Sequence, residues 1–294
     1  MIKFEGVMPA LVTPLNADDT LNAKALESLL DLHLSQNAEG FYIGGATGES
    51  FALTREVRRE LAERSIAHIG KRANTIVHIA ASAFNDTIEL AKHAEAAGAD
   101  ALSAVPPIFF KYDENDVYNY YKAIANAVHI PIMVYYSPNA NFPITSKFAA
   151  RLFREIDNIT GIKWTSSNYY DMMNLKDLTN GEMNIINGPD EMLLMGLNAG
   201  ADGGIGSTYN VMLPLYQKIL ACFRAGDVKG AQETQHKVNR VIRVLLDYNV
   251  IPAVKVLLEA MGQKVGEASF PFPRYSAETK AKIIAEAKAA GFEF

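Results

Sequence analysis

The sequence predicts a (β/α)₈ barrel, and three observations predict it. Short apolar or β-branched runs alternate with longer amphipathic patterns along most of the chain, the mark of repeated βα units and a parallel sheet. Eight such runs occur before about residue 225, which suits a fold whose usual length is about 250 residues. No Gly-rich phosphate fingerprint follows the first run, which counts against the doubly wound sheet, the other architecture built from alternating elements.

The predicted strands span 7–14, 40–46, 75–81, 101–107, 131–138, 160–165, 183–188 and 203–207. Apolar residues at three- and four-residue spacing mark helices between them, as in Leu26, Leu29, Leu30 and Leu32, or Leu90, Ala91, Ala94 and Ala97. Each pattern closes near a Gly or Asn, as helices do. Past residue 225 the strand signals stop, and 227–248, 253–261 and 277–290 read as helices, with Pro271 and Pro273 breaking the chain before the last. This divides the chain into a barrel over 1–225 that carries the active site and a helical extension over 226–294. The apolar stripes of the extension need a surface, and packing on the barrel wall is the expectation.

Composition excludes several partners. The 294 residues are 49% hydrophobic, enough for a sizeable core. Net charge is −5 with no basic tract, so neither nucleic acid nor an anionic membrane surface is an expected partner. No run approaches the roughly 20 apolar residues of a membrane span, and the first residues lack the apolar stretch of a secretory signal, so a cytoplasmic location is expected. The single cysteine, Cys222, sits in an apolar helical run from Ile219 to Phe223, where a buried, inert thiol is expected.

Barrel enzymes work at the carboxyl ends of their strands, and there Lys163 stands out. It interrupts Ile159-Thr-Gly-Ile-Lys-Trp-Thr165, a run that otherwise reads as buried strand. Burial disfavours an ammonium and frees the neutral amine as a nucleophile, although a lysine at a strand end also snorkels to water. A Schiff-base lysine needs an acid/base partner, and the fifth run offers Tyr135 and Tyr136. Strand alternation sends the two phenols to opposite faces, so one of them points inward, and alternation does not say which.

Two loops carry further candidates. Gly44-Gly-Ala-Thr-Gly-Glu49 follows the second run, and exposed N–H groups in such a turn suit a carboxylate, although many ordinary βα loops are equally rich in Gly. Gly188-Pro-Asp-Glu191 follows the seventh, where two acids either read hydroxyls or cap a helix N-terminus. None of the six histidines has metal-ligand spacing to another His, Cys or acid. His78, on the third strand, reads as a satisfied core histidine, and neither metal nor cofactor is expected.

In order and spacing, Gly-Gly-Ala-Thr-Gly-Glu, Tyr-x-x-Pro, Gly-Ile-Lys and Gly-x-Asp-Glu resemble the N-acetylneuraminate lyase and dihydrodipicolinate synthase family of pyruvate-dependent aldolases, over essentially the whole chain. The resemblance implies that Lys163 forms the Schiff base, that Tyr135 rather than Tyr136 is the acid/base phenol, and that Ala46 and Thr47 receive the pyruvate carboxylate. It further implies a homotetramer acting on a small 2-keto acid. Gly188 to Glu191 and Gly204-Ile-Gly-Ser-Thr-Tyr-Asn210 are similar to the sialic acid lyase branch, in which Thr165, Gly188, Asp190, Glu191 and Ser207 would hold the sugar tail. The synthase branch usually has an arginine where this chain has Ala140.

Two departures from the family pattern concern hydroxyls. Ala46 stands where members commonly have Ser or Thr, and Phe109-Phe110 where many have a tyrosine pair; in the family these hydroxyls often relay protons to the catalytic tyrosine across a subunit boundary. The segment Asn139-Ala-Asn-Phe142 also differs from the usual pattern after the proline. The expected reaction is cleavage of N-acetylneuraminate to N-acetylmannosamine and pyruvate. The alternatives are another 2-keto acid aldolase of the family, or a ligand-binding relative without turnover.

Overall fold

The computed structural model describes residues 3–137 and 140–293. Eight strands alternate with eight helices: β1 (Gly6–Pro9), β2 (Gly40–Ile43), β3 (Asn74–His78), β4 (Ala101–Ala104), β5 (Ile132–Tyr136), β6 (Ile159–Trp164), β7 (Asn184–Asn187) and β8 (Gly203–Gly206). Between and after them lie α1 (Ala23–Ser35), α2 (Arg55–Ile69), α3 (Phe84–Ala96), α4 (Glu114–Ala125), α5 (Ser146–Glu155), α6 (Tyr169–Leu178), α7 (Leu193–Asn198) and α8 (Tyr209–Arg224). All sheet neighbours pair in parallel, in the order β1-β8-β7-β6-β5-β4-β3-β2. A bridge between Ala10 and Tyr42 joins the two remaining edges. The sheet is therefore a closed (β/α)₈ barrel, and the doubly wound alternative is excluded.

The strands are shorter than the apolar runs that mark them. The first run extends to Pro14, yet β1 ends at Pro9 and β2 ends at Ile43. Leu11 and Val12 stay fully buried beyond the ladder, held by bonds from Leu11 N–H to the Tyr42 carbonyl and from Val12 N–H to Asn210 Oδ1. Hydrophobicity reports burial, whereas a strand needs a pairing neighbour, and at the barrel mouth the two part company. Pro138, the end of the fifth predicted run, lies outside the described residues, as does Asn139.

Helix starts are set by side chains that accept otherwise unpaired N–H groups. Thr54 accepts from Val57, Asp113 and Asp116 form a reciprocal capping box, and Ser276 accepts from Thr279. The extension forms α9 (Val228–Leu246), α10 (Val250–Ala260) and α11 (Ala277–Ala289). α9 and α10 pack on α8, and α11 covers both. Val238, Val241, Leu245, Leu257 and Ile283 are fully buried and continue the barrel's core; truncating Leu245 to Ala there is worth about 2–5 kcal/mol.

One local expectation is corrected. Cys222 is half-buried rather than buried, because it sits on the flank of α8 beside the buried Ile219 and Leu220. Among the described residues no helix is long and apolar enough to cross a membrane.

Candidate active site

β6 is buried at every position, which makes its lysine the exception in an apolar strand. Lys163 is 6% exposed and faces the barrel interior, where Nζ lies 4.3 Å from the ring centre of Tyr135 and 4.7 Å from that of Tyr42. Two π faces can accommodate the charged form of the amine as well as the neutral one. Tyr135 is the register partner of Lys163 across the β5–β6 ladder, and its ring meets Tyr42 edge-on at 5.9 Å. Tyr136 turns the other way and packs on Trp164 at 5.0 Å. Alternation thus sends Tyr135 inward.

Around this pair the barrel is aromatic and buried. The Tyr42 hydroxyl donates to Ser103 Oγ at 3.0 Å, and burial, with Tyr135 nearby, pushes its pKa well above the ordinary 10. His78, at the end of β3, lies 6.0 Å from the Tyr135 ring. Burial, with Arg58 and Lys163 adding positive charge, holds its pKa well below 6.5, so the imidazole is neutral. Nδ1 pairs with the Gly44 carbonyl at 3.2 Å, while Nε2 has no partner among the described residues. The expected satisfied core histidine is therefore only half satisfied.

The loop after β2 closes on itself: Glu49 N–H donates to the Ala46 carbonyl and Ser50 N–H to that of Gly45. A Cβ at Gly45 would lie 2.3 Å from the Tyr42 ring, so the loop passes over that ring only with a glycine. Ala46 is exposed at the barrel mouth. The backbone N–H groups of Ala46 and Thr47 have no acceptor among the described residues, leaving two donors for an anion. Thr47 Oγ1 meets Ser207 Oγ at 2.7 Å and joins this loop to the one after β8.

A cleft of about 430 Å³ opens beside the lysine strand, lined by Thr165, Gly188, Asp190, Glu191, Ser207 and Thr208 among others. Thr165 Oγ1 is buried and unpartnered. A Cβ at Gly188 would come within 2.0 Å of it, so the two strands approach here because residue 188 is glycine. Asp190 and Glu191 part ways within one 3₁₀ turn, Asp190–Met192. Asp190 is buried and accepts both the N–H and the hydroxyl of Thr208 at 2.7 Å, while Glu191 is exposed. Desolvation pushes the Asp190 pKa from 3.8 up to about 6 against those two bonds.

Phe109 and Phe110 lie elsewhere. Phe109 is 82% exposed with φ +75°, and its ring meets Phe110 edge-on at 5.0 Å. No group of three or more His, Cys, Asp or Glu is gathered for a metal among the described residues.

Residues 3–290 match the model of the dihydrodipicolinate synthetase family. The chain belongs to that family. It is 34% identical over 275 residues to the N-acetylneuraminate lyase of Rhizobium meliloti, covering 92% of this chain and 90% of the relative. The structure of the Proteus mirabilis N-acetylneuraminate lyase superposes with a TM-score of 0.95 at 32% identity, over 99% of this chain and all of that one. A dihydrodipicolinate synthase from Bacillus anthracis superposes at 0.93 with 26% identity, over 98% and 99% of the two chains.

Tyr42, which no sequence pattern singles out, and His78 both border the Tyr135 ring. Both sit on inward positions of strands that read as apolar, where an aromatic or a lone histidine carries no distinguishing signal. Lys255, on α10, is likewise a buried charged residue that interrupts an apolar run, a signal the sequence carries.

Proposed function

We propose that this chain is a class I aldolase that reversibly cleaves N-acetylneuraminate to N-acetylmannosamine and pyruvate. The observation that carries the reading is a buried lysine placed beside the ring of an inward phenol on the adjacent strand. Lys163 adds as the neutral amine to the C2 carbonyl of the open-chain sugar, and the carbinolamine hydroxyl leaves as water on the proton of the Tyr135 phenol, giving a protonated imine and a phenolate. Tyr135 takes the proton of the C4 hydroxyl as the C3–C4 bond breaks, and the bonding pair moves into the imine to give an enamine. N-acetylmannosamine leaves as the aldehyde. Protonation of C3 and hydrolysis then return the lysine and release pyruvate.

The same reading assigns the free N–H groups of Ala46 and Thr47 to the keto-acid carboxylate, and Thr165, Gly188, Asp190, Glu191 and Ser207 to the sugar tail. Relatives named N-acetylneuraminate lyase, similar along most of their length, support it. The barrel, 1–225, would hold this chemistry and 226–294 would brace it. A homotetramer in the cytoplasm fits the reading, with the exposed Phe109 and Phe110 as candidates for a subunit contact.

A panel of sialic acids, 2-keto-3-deoxy sugar acids and the synthase pair of pyruvate with aspartate semialdehyde tests the assignment. Pyruvate release fastest from N-acetylneuraminate supports it. Preference for a deoxy sugar acid or for the condensation moves the chain to another branch.

A further inference from the structure

We propose that Lys255 of the extension is a positioning residue for the keto-acid carboxylate, acting through Glu49 on the loop that presents the Ala46 and Thr47 N–H groups. This rests on the pyruvate reading above and deepens it.

Glu49, in the middle of the loop between β2 and α2, has an unusual backbone conformation. Its φ is +63°, in the left-handed region where a side chain costs energy and glycine is the ordinary solution. Its side chain is fully buried all the same. Such a residue persists where its surroundings hold it, and three contacts do so. Lys255 Nζ lies 2.7 Å from Glu49 Oε1, Ser269 N–H donates to Oε2 at 2.6 Å, and Lys255 is fixed in turn on the Glu267 carbonyl at 3.0 Å. Burial lowers the Lys255 pKa and the Glu49 carboxylate raises it back in part.

Both anchors come from the helical extension and its following loop, and both meet the barrel at one residue of the carboxylate loop. Glu49 is also the donor that closes the turn on the Ala46 carbonyl. A shift of Glu49 therefore moves the peptide units of Ala46 and Thr47 directly. Thr13 Oγ1 donates to the Gly48 carbonyl at 2.7 Å, in the same peptide unit as the Glu49 N–H, so the barrel holds the backbone of this residue while the extension holds its side chain. Neither Lys255 nor the Glu49 carboxylate touches the lysine pocket, which makes the role one of placement rather than chemistry.

The test compares Lys255→Met, the double variant Glu49→Gln with Lys255→Met, and Lys280→Ala, which breaks a half-buried contact of α11 to the side chains of Glu259 and Glu267. Each is titrated with pyruvate under borohydride for half-saturation of the Lys163 adduct, and melted for stability. Removing one partner of a buried pair destabilises strongly, whereas replacing both by neutral groups restores stability. The expected result is a rise of about tenfold or more in half-saturating pyruvate for Lys255→Met. The double variant regains thermal stability yet keeps the raised half-saturation, and Lys280→Ala leaves it unchanged. Wild-type half-saturation in the stable double variant overturns the inference, because the anchor then serves stability alone. Absence of any adduct in the unaltered chain is a different failure: it overturns the aldolase reading and this inference with it.

Discussion

Lys163 and Tyr135 are register partners across the β5–β6 ladder, and the lysine nitrogen lies 4.3 Å from the centre of the phenol ring. Pairing in a parallel sheet fixes this relation through backbone hydrogen bonds, so neither side chain relies on a loop for its position. A positioned proton-transfer group is worth about 10²–10⁴ in rate.

Tyr135→Phe keeps the ring and its edge contact with Tyr42 and removes the hydroxyl alone. The expected outcome is a fall of about 10²–10⁴ in kcat for sugar cleavage with unchanged thermal stability. Full activity in this variant would hand the proton to another group, and His78 Nε2 and Thr165 Oγ1 are unpaired candidates.

Asp190 predicts a pH effect on stability. Its folded pKa is raised to about 6 from 3.8, so between these values the folded chain binds more protons than the unfolded one. Stability from this group is present below about pH 4 and is lost as pH rises to about 6, by up to roughly 3 kcal/mol for two units. Asp190→Asn keeps an acceptor for Thr208 and removes the charge. Its melting temperature should gain on the wild type as pH rises from 4 to 7 and then run parallel. A constant difference across that range would mean that Asp190 titrates as an ordinary carboxyl.

Both acids line the cleft, but Glu191 is exposed there, whereas Asp190 is buried with Oδ2 engaged by Thr208. Glu191→Ala should lower kcat/KM for N-acetylneuraminate by about tenfold, the loss of one hydrogen bond to a charged group, and leave pyruvate adduct formation untouched. Equal losses in both assays would reduce it to a helix-capping acid.

The fold was legible because burial patterns carry it: β6, β7 and β8 read as apolar runs at nearly their true positions, and α9 to α11 follow their periodicity. The inward phenol was not legible from alternation alone, since the phase of β5 is set by its pairing with β6, and only the family resemblance chose Tyr135. The different fates of Asp190 and Glu191 were equally hidden, because a single 3₁₀ turn decides which acid is buried. The Glu49–Lys255 pair joins residues 206 positions apart in sequence, a separation that no local pattern reports.

Ala46 and Phe109 test the missing hydroxyls. Phe109 is turned to solvent within one chain, so under the proposed assembly a hydroxyl there would reach the Tyr135 of a second copy. Ala46→Ser with Phe109→Tyr should then raise kcat by more than the product of the single effects, as coupled groups do. Multiplicative effects would show that protons reach Tyr135 by a route that these positions do not share.

The most direct test is to reduce the protein with borohydride in the presence of pyruvate and map the modified peptide. The account predicts one covalent adduct, on Lys163, that is absent from a folded Lys163→Ala variant. An adduct on another residue, or none in an enzyme that turns over its substrate, would contradict it.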